Sequence, residues 1–588
     1  MSGVRFDQEH GGSLIAAHFT WIDWGVLLAY LILTTVLGAL LAGKQATIRD
    51  FFLAGRKIPW LAVAGSNIAT EISAVTLIAV PAAVFKAGGN LTYLQLMLGA
   101  VIARIIIALW FVPAFYEREI YSPYDYMGRR LGPQVRTVTS GIFVLGAILG
   151  QSVRVMLTAM VLRLITGIPL WESIWLIGLV AVVWTLLGGI TTVIWTDVIQ
   201  FFVFLLGMAV AVVVVVQHVP GGWGEVVSVA GQAGKLRLWD LSTDPNVDFT
   251  LWTALVANTV LCLANYGTDQ MMAQRMFCCR GPRQATYSVI ASTFGGVVTI
   301  MAACVGLGLF AFYQHYPLNG KAAELVAQQT DNVFPVFVLQ NLPVGITGLI
   351  IAGIFAAAIS TLGSILVALS QVVVTGMYRP WRARRADGAT ADATDRHCVG
   401  VAKLLVVVWM IALCGMAQAS VLAYERYHAV LNLALSMATY TAGPMLAAFA
   451  LAFFRLNVDY RGILWATPLS VLTVFAITWH AGWAQFATAG AGAAILLGWM
   501  CLVRNRPGGA PGDGLRTVAV ALSAALAAFL CCYNYAPADD SARYLTVAFP
   551  WNVPIGFTVA FVLGWLLARP RRAADDAAGG VPEGVPPR

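Results

Sequence analysis

Charge is what this chain has least of. Only 11% of its 588 residues are Asp, Glu, Lys or Arg, against about 25% in a soluble domain, so a soluble globular fold is excluded. Its seven histidines stand at 10, 18, 218, 315, 397, 428 and 480, with no two at helical i, i+3 or i+4 spacing. That excludes a helix-borne His metal site or acid–base centre. The nine cysteines include the adjacent pairs Cys278–Cys279 and Cys531–Cys532, neither with a second pair or a His at zinc spacing; in apolar helices such residues serve as small packing groups. The longest connector, 217–250, has no room for a soluble catalytic domain. Its PGGWGEV stretch has glycines but no P-loop lysine and is expected to be loop. No paired-carboxylate, Cys or His constellation points to an enzyme. The opening MSGVRFDQEH also lacks a basic n-region and cleavage site, so the first apolar segment is expected to be retained.

What the chain has is apolar length: 59% of it is hydrophobic. About fifteen runs approach the roughly 20 residues of a spanning helix, near 23–43, 59–85, 94–115, 137–166, 172–188, 194–216, 251–273, 286–313, 340–376, 397–419, 427–454, 461–480, 484–503, 515–532 and 551–568. A barrel would show alternating segments of about 10 residues instead. Lys and Arg collect after alternate runs: Lys44, Arg49, Arg56 and Lys57; Arg118, Arg129, Arg130 and Arg136; Arg275, Arg280 and Arg283; Arg379, Arg382, Arg384 and Arg385; Arg504 and Arg506; and RPRR at 569–572. The positive-inside rule then puts the N-terminus outside the cell membrane and the C-terminus in the cytoplasm. The net charge of +8 follows from these loops and calls for no nucleic acid; lipid is the expected surroundings, and no obligate protein partner is indicated. The Gly/Pro-rich tail from Ala573 is expected to be disordered, and 383–396 and 504–514 to be connectors.

Ionisable residues inside spans cost about 2.5 kcal/mol or more each, so Glu71, Arg104, Arg154, Arg163, Asp197 and Asp269 mark either a pathway or paired structural sites. Two stretches of small and hydroxyl residues also interrupt the apolar runs, Asn67 to Pro81 and Ala356 to Ser364. A helix break beside Glu71 would free the carbonyls of Ala69 and Ile72, which need another partner within a membrane. Ala357, Ser360 and Thr361 fall on one helical face. Together these oxygens would suit a hard cation such as sodium. Alternatively, the hydroxyls bond their own i−4 carbonyls or join helices. The residues alone leave both readings open.

Five motifs, DFFLAGR at 50–56, ATEISAVTLIAVP at 69–81, GGITTVIWTDVIQF at 188–201, GTDQMMAQR at 267–275 and AAAISTLGS at 356–364, resemble those of the sodium:solute symporter family, in its order. The resemblance covers about residues 20 to 480 and implies an all-α, leucine-transporter-type core of two inverted five-helix repeats, at 51–216 and 251–454. Segment 1–50, with the first helix, and helices within 455–568 would be peripheral, 217–250 an outer loop and 569–588 a tail. It implies a principal sodium site made by the carbonyls of Ala69, Ile72 and Ala357 and the hydroxyls of Ser360 and Thr361. A second site in some members would use Asp197 and Ser364; Gly363 stands where a further hydroxyl is expected, which argues for one sodium per solute. The solute pocket implied is lined by Glu71, Ser73, Thr76, Gln95, Arg154, Asn265, Tyr266 and Tyr440. Met97, Ala100 and Glu71 depart from the sugar carriers' polar set, and Arg154 suits a carboxylate or a salt bridge to Glu71 or Asp197. The implied activity is sodium-coupled uptake of a small sugar, sugar acid or other carboxylate, with no cofactor beyond the coupling ion. The alternatives are proton coupling through Glu71 or Asp197, and a sensor that binds solute without moving it.

Overall fold

The computed structural model describes residues 19–43, 45–72, 74–117, 120–383, 391–426, 429–454, 456, 458–478, 482–504, 512–533 and 547–568. Ser73, the 505–511 connector and the tail from 569 lie outside them. Helices form wherever the apolar runs predict, because a backbone in hydrocarbon must satisfy its polar groups within its own segment.

The first helix, α1 (Trp21–Ala42), starts at a capping box between Thr20 and Asp23, and α2 (Ile48–Leu53) at a second between Thr47 and Asp50. Helices α3 (Trp60–Glu71) and α4 (Ala74–Phe85) form a span bent by 53°. A 3-10 turn leads into α5 (Leu96–Ile106), which a π-helical turn joins to α6 (Val112–Tyr116). After α7 (Pro123–Leu131) come α8 (Pro133–Thr166) and the 49-residue α9 (Leu170–His218). Helix α9 is kinked at Gly188 and Gly189; Gly189 has φ 55°, and a Cβ there would lie 2.4 Å from the Phe51 carbonyl oxygen, so both conformation and space demand glycine.

The chain continues through α10 (Gly222–Gln232), a π-helical turn, α11 (Thr259–Gly267) and α12 (Gln270–Phe277). Helices α11 and α12 are separated at Thr268–Asp269, where the extended Asp269 caps α12 by accepting from the Met271 N–H. Then follow α13 (Pro282–Ala291), α14 (Gly296–His315), α15 (Gly320–Gln328), α16 (Val333–Asn341), α17 (Ile346–Val373) and α18 (Arg379–Ala383). The last six are α19 (Ala391–Arg426), α20 (Ala429–Phe453), α21 (Tyr460–Thr478), α22 (Gly482–Arg504), α23 (Asp513–Tyr533) and α24 (Asn552–Leu567).

Among the described residues, eleven helices are long and apolar enough to span a membrane, or twelve with the bent α3–α4 pair. The gap to about fifteen has structural causes. Helix α9 contains two of the expected runs either side of its glycine kink, the run at 251–273 is divided between α11 and α12, and the described apolar part of α20 is short. Helix α17 is the axis of the molecule, with 89% of its span buried, against 17% for α22.

Three expectations change. Arg275, counted with the loop arginines, is fully buried on α12. Segment 217–250 contains α10, whose Val226 and Ala230 are buried, so its glycines end one helix and start another. Helix α19 already begins at Ala391, within an expected connector. The first helix is exposed along much of its length, yet its buried Asp23 accepts from the Gly345 and Gly348 N–H groups at 2.7 and 2.9 Å, pinning it to the start of α17.

Candidate ion and solute site

The site is built around the α3–α4 break. Helix α3 stops at Glu71 because Ile72 turns to ψ 87°, and a helix's last four carbonyls have no intrahelical donors. Pro81 lies inside α4 rather than at the break. Ala69 and Ile72 at the break and Ala357 of α17 are all buried, within one large apolar cluster that also takes in α4, α9, α14 and α16. One turn further along α17, Ser360 is buried and its hydroxyl donates to the Asp197 carboxylate. Thr361, half-buried, makes no hydrogen bond among the described residues. That contrasts with Thr185, Thr375, Thr467 and Thr473, each bonded to its i−4 carbonyl. The usual i−4 partner of Thr361 is the carbonyl of Ala357, so neither oxygen is consumed by that bond.

Beneath this lies a charged node. Asp197, on α9, is wholly buried and accepts from Ser66, from Ser360, from Thr70 at 3.5 Å and from the Arg275 guanidinium at 3.0 Å. Arg275 also donates to Ser66 Oγ at 2.8 Å, to the Met271 carbonyl at 2.6 Å and to Ser364 Oγ at 2.7 Å. Its charge therefore stands between Asp197 and Ser364. A Cβ on Gly363 would come within 3.1 Å of Thr185 Oγ1, so that position packs tightly against α9.

On the other side of the break, the Glu71 carboxylate pairs with Arg104 of α5 and accepts from the Tyr266 hydroxyl of α11 at 2.7 Å. Arg104 further donates to Tyr266 Oη at 2.9 Å, to Ser292 Oγ at 3.0 Å and to the Ala100 carbonyl at 3.1 Å, and lies over the Tyr266 ring. The partners of Glu71 and Asp197 are thus Arg104 and Arg275, and Arg154 is in neither pair. Arg154 is enclosed by protein at long range, interacts electrostatically with Asp269, and yet has an exposed side chain whose guanidinium makes no hydrogen bond among the described residues.

Asn265 is exposed and Thr76 half-buried, each without a side-chain hydrogen bond among the described residues. Gln95 and Tyr440 are committed elsewhere. Gln95 donates to the Phe249 carbonyl at 3.2 Å and accepts from the Asp240 N–H at 3.3 Å, fastening the 217–250 segment, and Tyr440 bonds Thr478 at 2.7 Å.

Sequence reasoning missed the partner role of Arg275, although GTDQMMAQR had been matched as a motif. It also missed Lys235, a buried ammonium donating to the carbonyls of Val84, Phe85, Lys86 and Gly89 at 2.7 to 3.2 Å and so closing the C-terminal end of α4. Nothing in the local pattern of a polar loop distinguishes such a lysine. The described residues hold no cluster of three or more His, Cys, Asp or Glu able to bind a metal ion. The donors at the break are oxygens of peptide and hydroxyl type, which suit a hard cation.

The family model for the sodium:solute symporters matches residues 51–469. A sodium-dependent multivitamin transporter from Oryctolagus cuniculus is 30% identical over 75% of this chain and 68% of its own length. A human sodium/iodide cotransporter is 30% identical, over 75% and 67%, and human sodium-coupled monocarboxylate transporter 1 is 28% identical, over 74% and 70%. The structure of a Na+-coupled sialic acid symporter superposes with a TM-score of 0.71 at 23% identity, covering 93% of this chain and 97% of the other; that likeness shows the fold, the leucine-transporter type expected from the motifs. These relatives are transporters and cotransporters by name, not enzymes. The chain is a multi-pass, membrane-embedded member of the sodium:solute symporter family.

Proposed function

We propose that this chain couples one sodium ion to the import of a small organic anion by alternating access. The observation that carries the reading is the broken end of α3, where Ala69 and Ile72 are buried in the same apolar cluster as Ala357 of α17, one turn before Thr361, whose hydroxyl has no hydrogen-bond partner among the described residues. Ser360 contributes an oxygen whose proton is engaged by Asp197, which leaves its lone pairs for a cation. Helices α3 and α17 then share the ion, so sodium braces the broken span, holds the pocket in its solute-accepting form and is released with the solute. Thr361→Ala is expected to raise the sodium concentration for half-maximal uptake about tenfold, a loss of about 1.4 kcal/mol; unchanged sodium dependence would remove the proposed site.

One ion rather than two is supported by Arg275, whose guanidinium already contacts Asp197 and Ser364. The open guanidinium of Arg154 supports an anionic solute, since it can take a carboxylate in a bidentate pair. Two of the relatives are named for iodide and for monocarboxylates. Glu71, Thr76, Asn265 and Tyr266 complete the proposed pocket. Proton coupling is the weaker reading, because Glu71 and Asp197 are both committed to arginines. The end bearing Arg129, Arg130, Arg280 and Arg283 is assigned to the cytoplasm by the positive-inside rule. Uptake of a carboxylate panel in sodium and in choline media, with Arg154→Gln beside the parent, tests the substrate class; full uptake by the variant would overturn it.

A further inference from the structure

Below the ion-site hydroxyls, one face of α17 stays polar down to its basic end. Ser360, Ser364 and Gln371, and Thr375 in the π-helical turn that continues α17, recur at helical spacing and are all buried. Each is tied to another element: Ser360 to Asp197 of α9, Ser364 to Arg275 of α12, Gln371 to Gln270 of α12, and the Thr375 carbonyl to Arg136 of α8. The Gln270–Gln371 pair is built around a single acceptor. Gln270 Nε2 donates to Gln371 Oε1 at 2.8 Å, and both amides donate to the Tyr121 carbonyl, at 3.1 and 2.7 Å. Tyr121 leads into α7, which carries Arg129 and Arg130.

The same region holds polar atoms that this conformation leaves unpaired. Gln270 Oε1, Gln274 Oε1, Ser370 Oγ and both amide atoms of Asn67 are buried without partners among the described residues. Replacing a buried hydrogen-bonded pair by apolar groups is often neutral or better, whereas leaving members unpaired is costly. A purely structural core would therefore gain by being apolar here. The cost is recovered if a second conformation wets these groups, as alternating access requires of whichever half is closed.

We propose that this polar face is the release route of the ion towards the basic end, and that the Gln270–Gln371–Tyr121 contact is the lock that closes it. The inference rests on the sodium-coupled reading above. Opening must separate α12 and α7 from α17, which breaks the Gln371 amide–Tyr121 carbonyl bond and the Gln270–Gln371 amide–amide bond at once and admits water to the unpaired oxygens.

Ala368 lies on this face between Ser364 and Gln371 and is fully buried, so Ala368→Cys in the full-length protein reports opening. The probe is a small, membrane-impermeant methanethiosulfonate cation applied to purified protein, with modification of residue 368 read by mass spectrometry. Labelling is expected to be slow in sodium and faster in choline. Adding Gln371→Leu is expected to speed labelling in sodium about fivefold, the population change expected for one net hydrogen bond. If Gln371→Leu alone fails to fold, Gln270→Leu with Gln371→Leu removes both amides together and is expected to speed labelling likewise. Labelling that no glutamine variant alters overturns the lock, whatever sodium does. Labelling that responds to the glutamines but not to sodium overturns the sodium-coupled reading and leaves the lock standing.

Discussion

At the scale of single residues, the interior is governed by who neutralises whom. Asp197 and Arg275 are both fully buried, and removing one member of such a pair leaves an uncompensated charge, at about 3–5 kcal/mol. Asp197→Asn is expected to lower thermal stability accordingly and also to weaken sodium binding, because the amide's one acceptor oxygen must serve Ser66, Thr70, Arg275 and Ser360 together and holds Ser360 less firmly. Combining Asp197→Asn with Arg275→Gln is expected to recover much of the stability and little of the sodium affinity. Unfolding in detergent, with and without sodium, separates the two effects, and equal recovery of both would show that Asp197 does not act through Ser360. The sequence exposed Asp197 as an intramembrane charge but not its partner. Arg275 sits on an eight-residue helix whose residues are all buried although its polar Gln and Arg side chains read as the start of a loop. Hydropathy reports contact with lipid, and α12 is covered by protein, so the usual correlation between polarity and exposure fails there.

At the scale of elements, the break in α3–α4 was legible because small and hydroxyl residues replaced Leu and Phe beside Glu71. Pro81 is accommodated inside α4, where α14 approaches it at Gly306; a Cβ on that glycine would come within 2.7 Å of the Pro81 carbonyl. The C-terminal end of α4 depends on Lys235, which no periodicity reveals. Its ammonium serves four carbonyls, of which, among the described residues, only that of Lys86 also accepts from the Gly89 N–H, and Lys235→Met would cost the others this donor at about 1–3 kcal/mol each in the extreme, so a measurable fall in thermal stability is expected at neutral pH. Burial pushes Lys235 down to about 8 from the ordinary lysine value of 10.5. The unfolded chain therefore binds more protons between these values, and stability from this group rises with pH across that window. The parent is expected to gain stability over Lys235→Met between pH 8 and pH 10; a gap that stays constant would show that the carbonyls hold the ammonium at its ordinary value.

At the scale of the whole molecule, charge balance around the break constrains the transport cycle. Glu71 is matched by Arg104, Asp197 by Arg275, and Asp269 lies within electrostatic reach of Arg154. The order of the apolar helices and the break between α3 and α4 could be read from apolar length and composition, whereas these pairings could not, because they join residues far apart in the chain through the fold. With the fixed charges balanced, one bound sodium adds a single positive charge, and a monovalent anion on Arg154 cancels it. A second sodium would leave the loaded carrier positive, and Arg275 already occupies the position between Asp197 and Ser364 that it would need. Moving one elementary charge across a membrane is worth about 2.3 kcal/mol per 100 mV, so the two stoichiometries differ strongly in voltage dependence. Transport of a monovalent carboxylate by proteoliposomes is expected to be hyperbolic in sodium and nearly indifferent to an imposed potential. A neutral solute, if carried, should instead be driven by an inside-negative potential. Sigmoidal sodium dependence together with potential-driven carboxylate uptake would require a second ion, and with it a rearrangement that draws Arg275 away from Asp197.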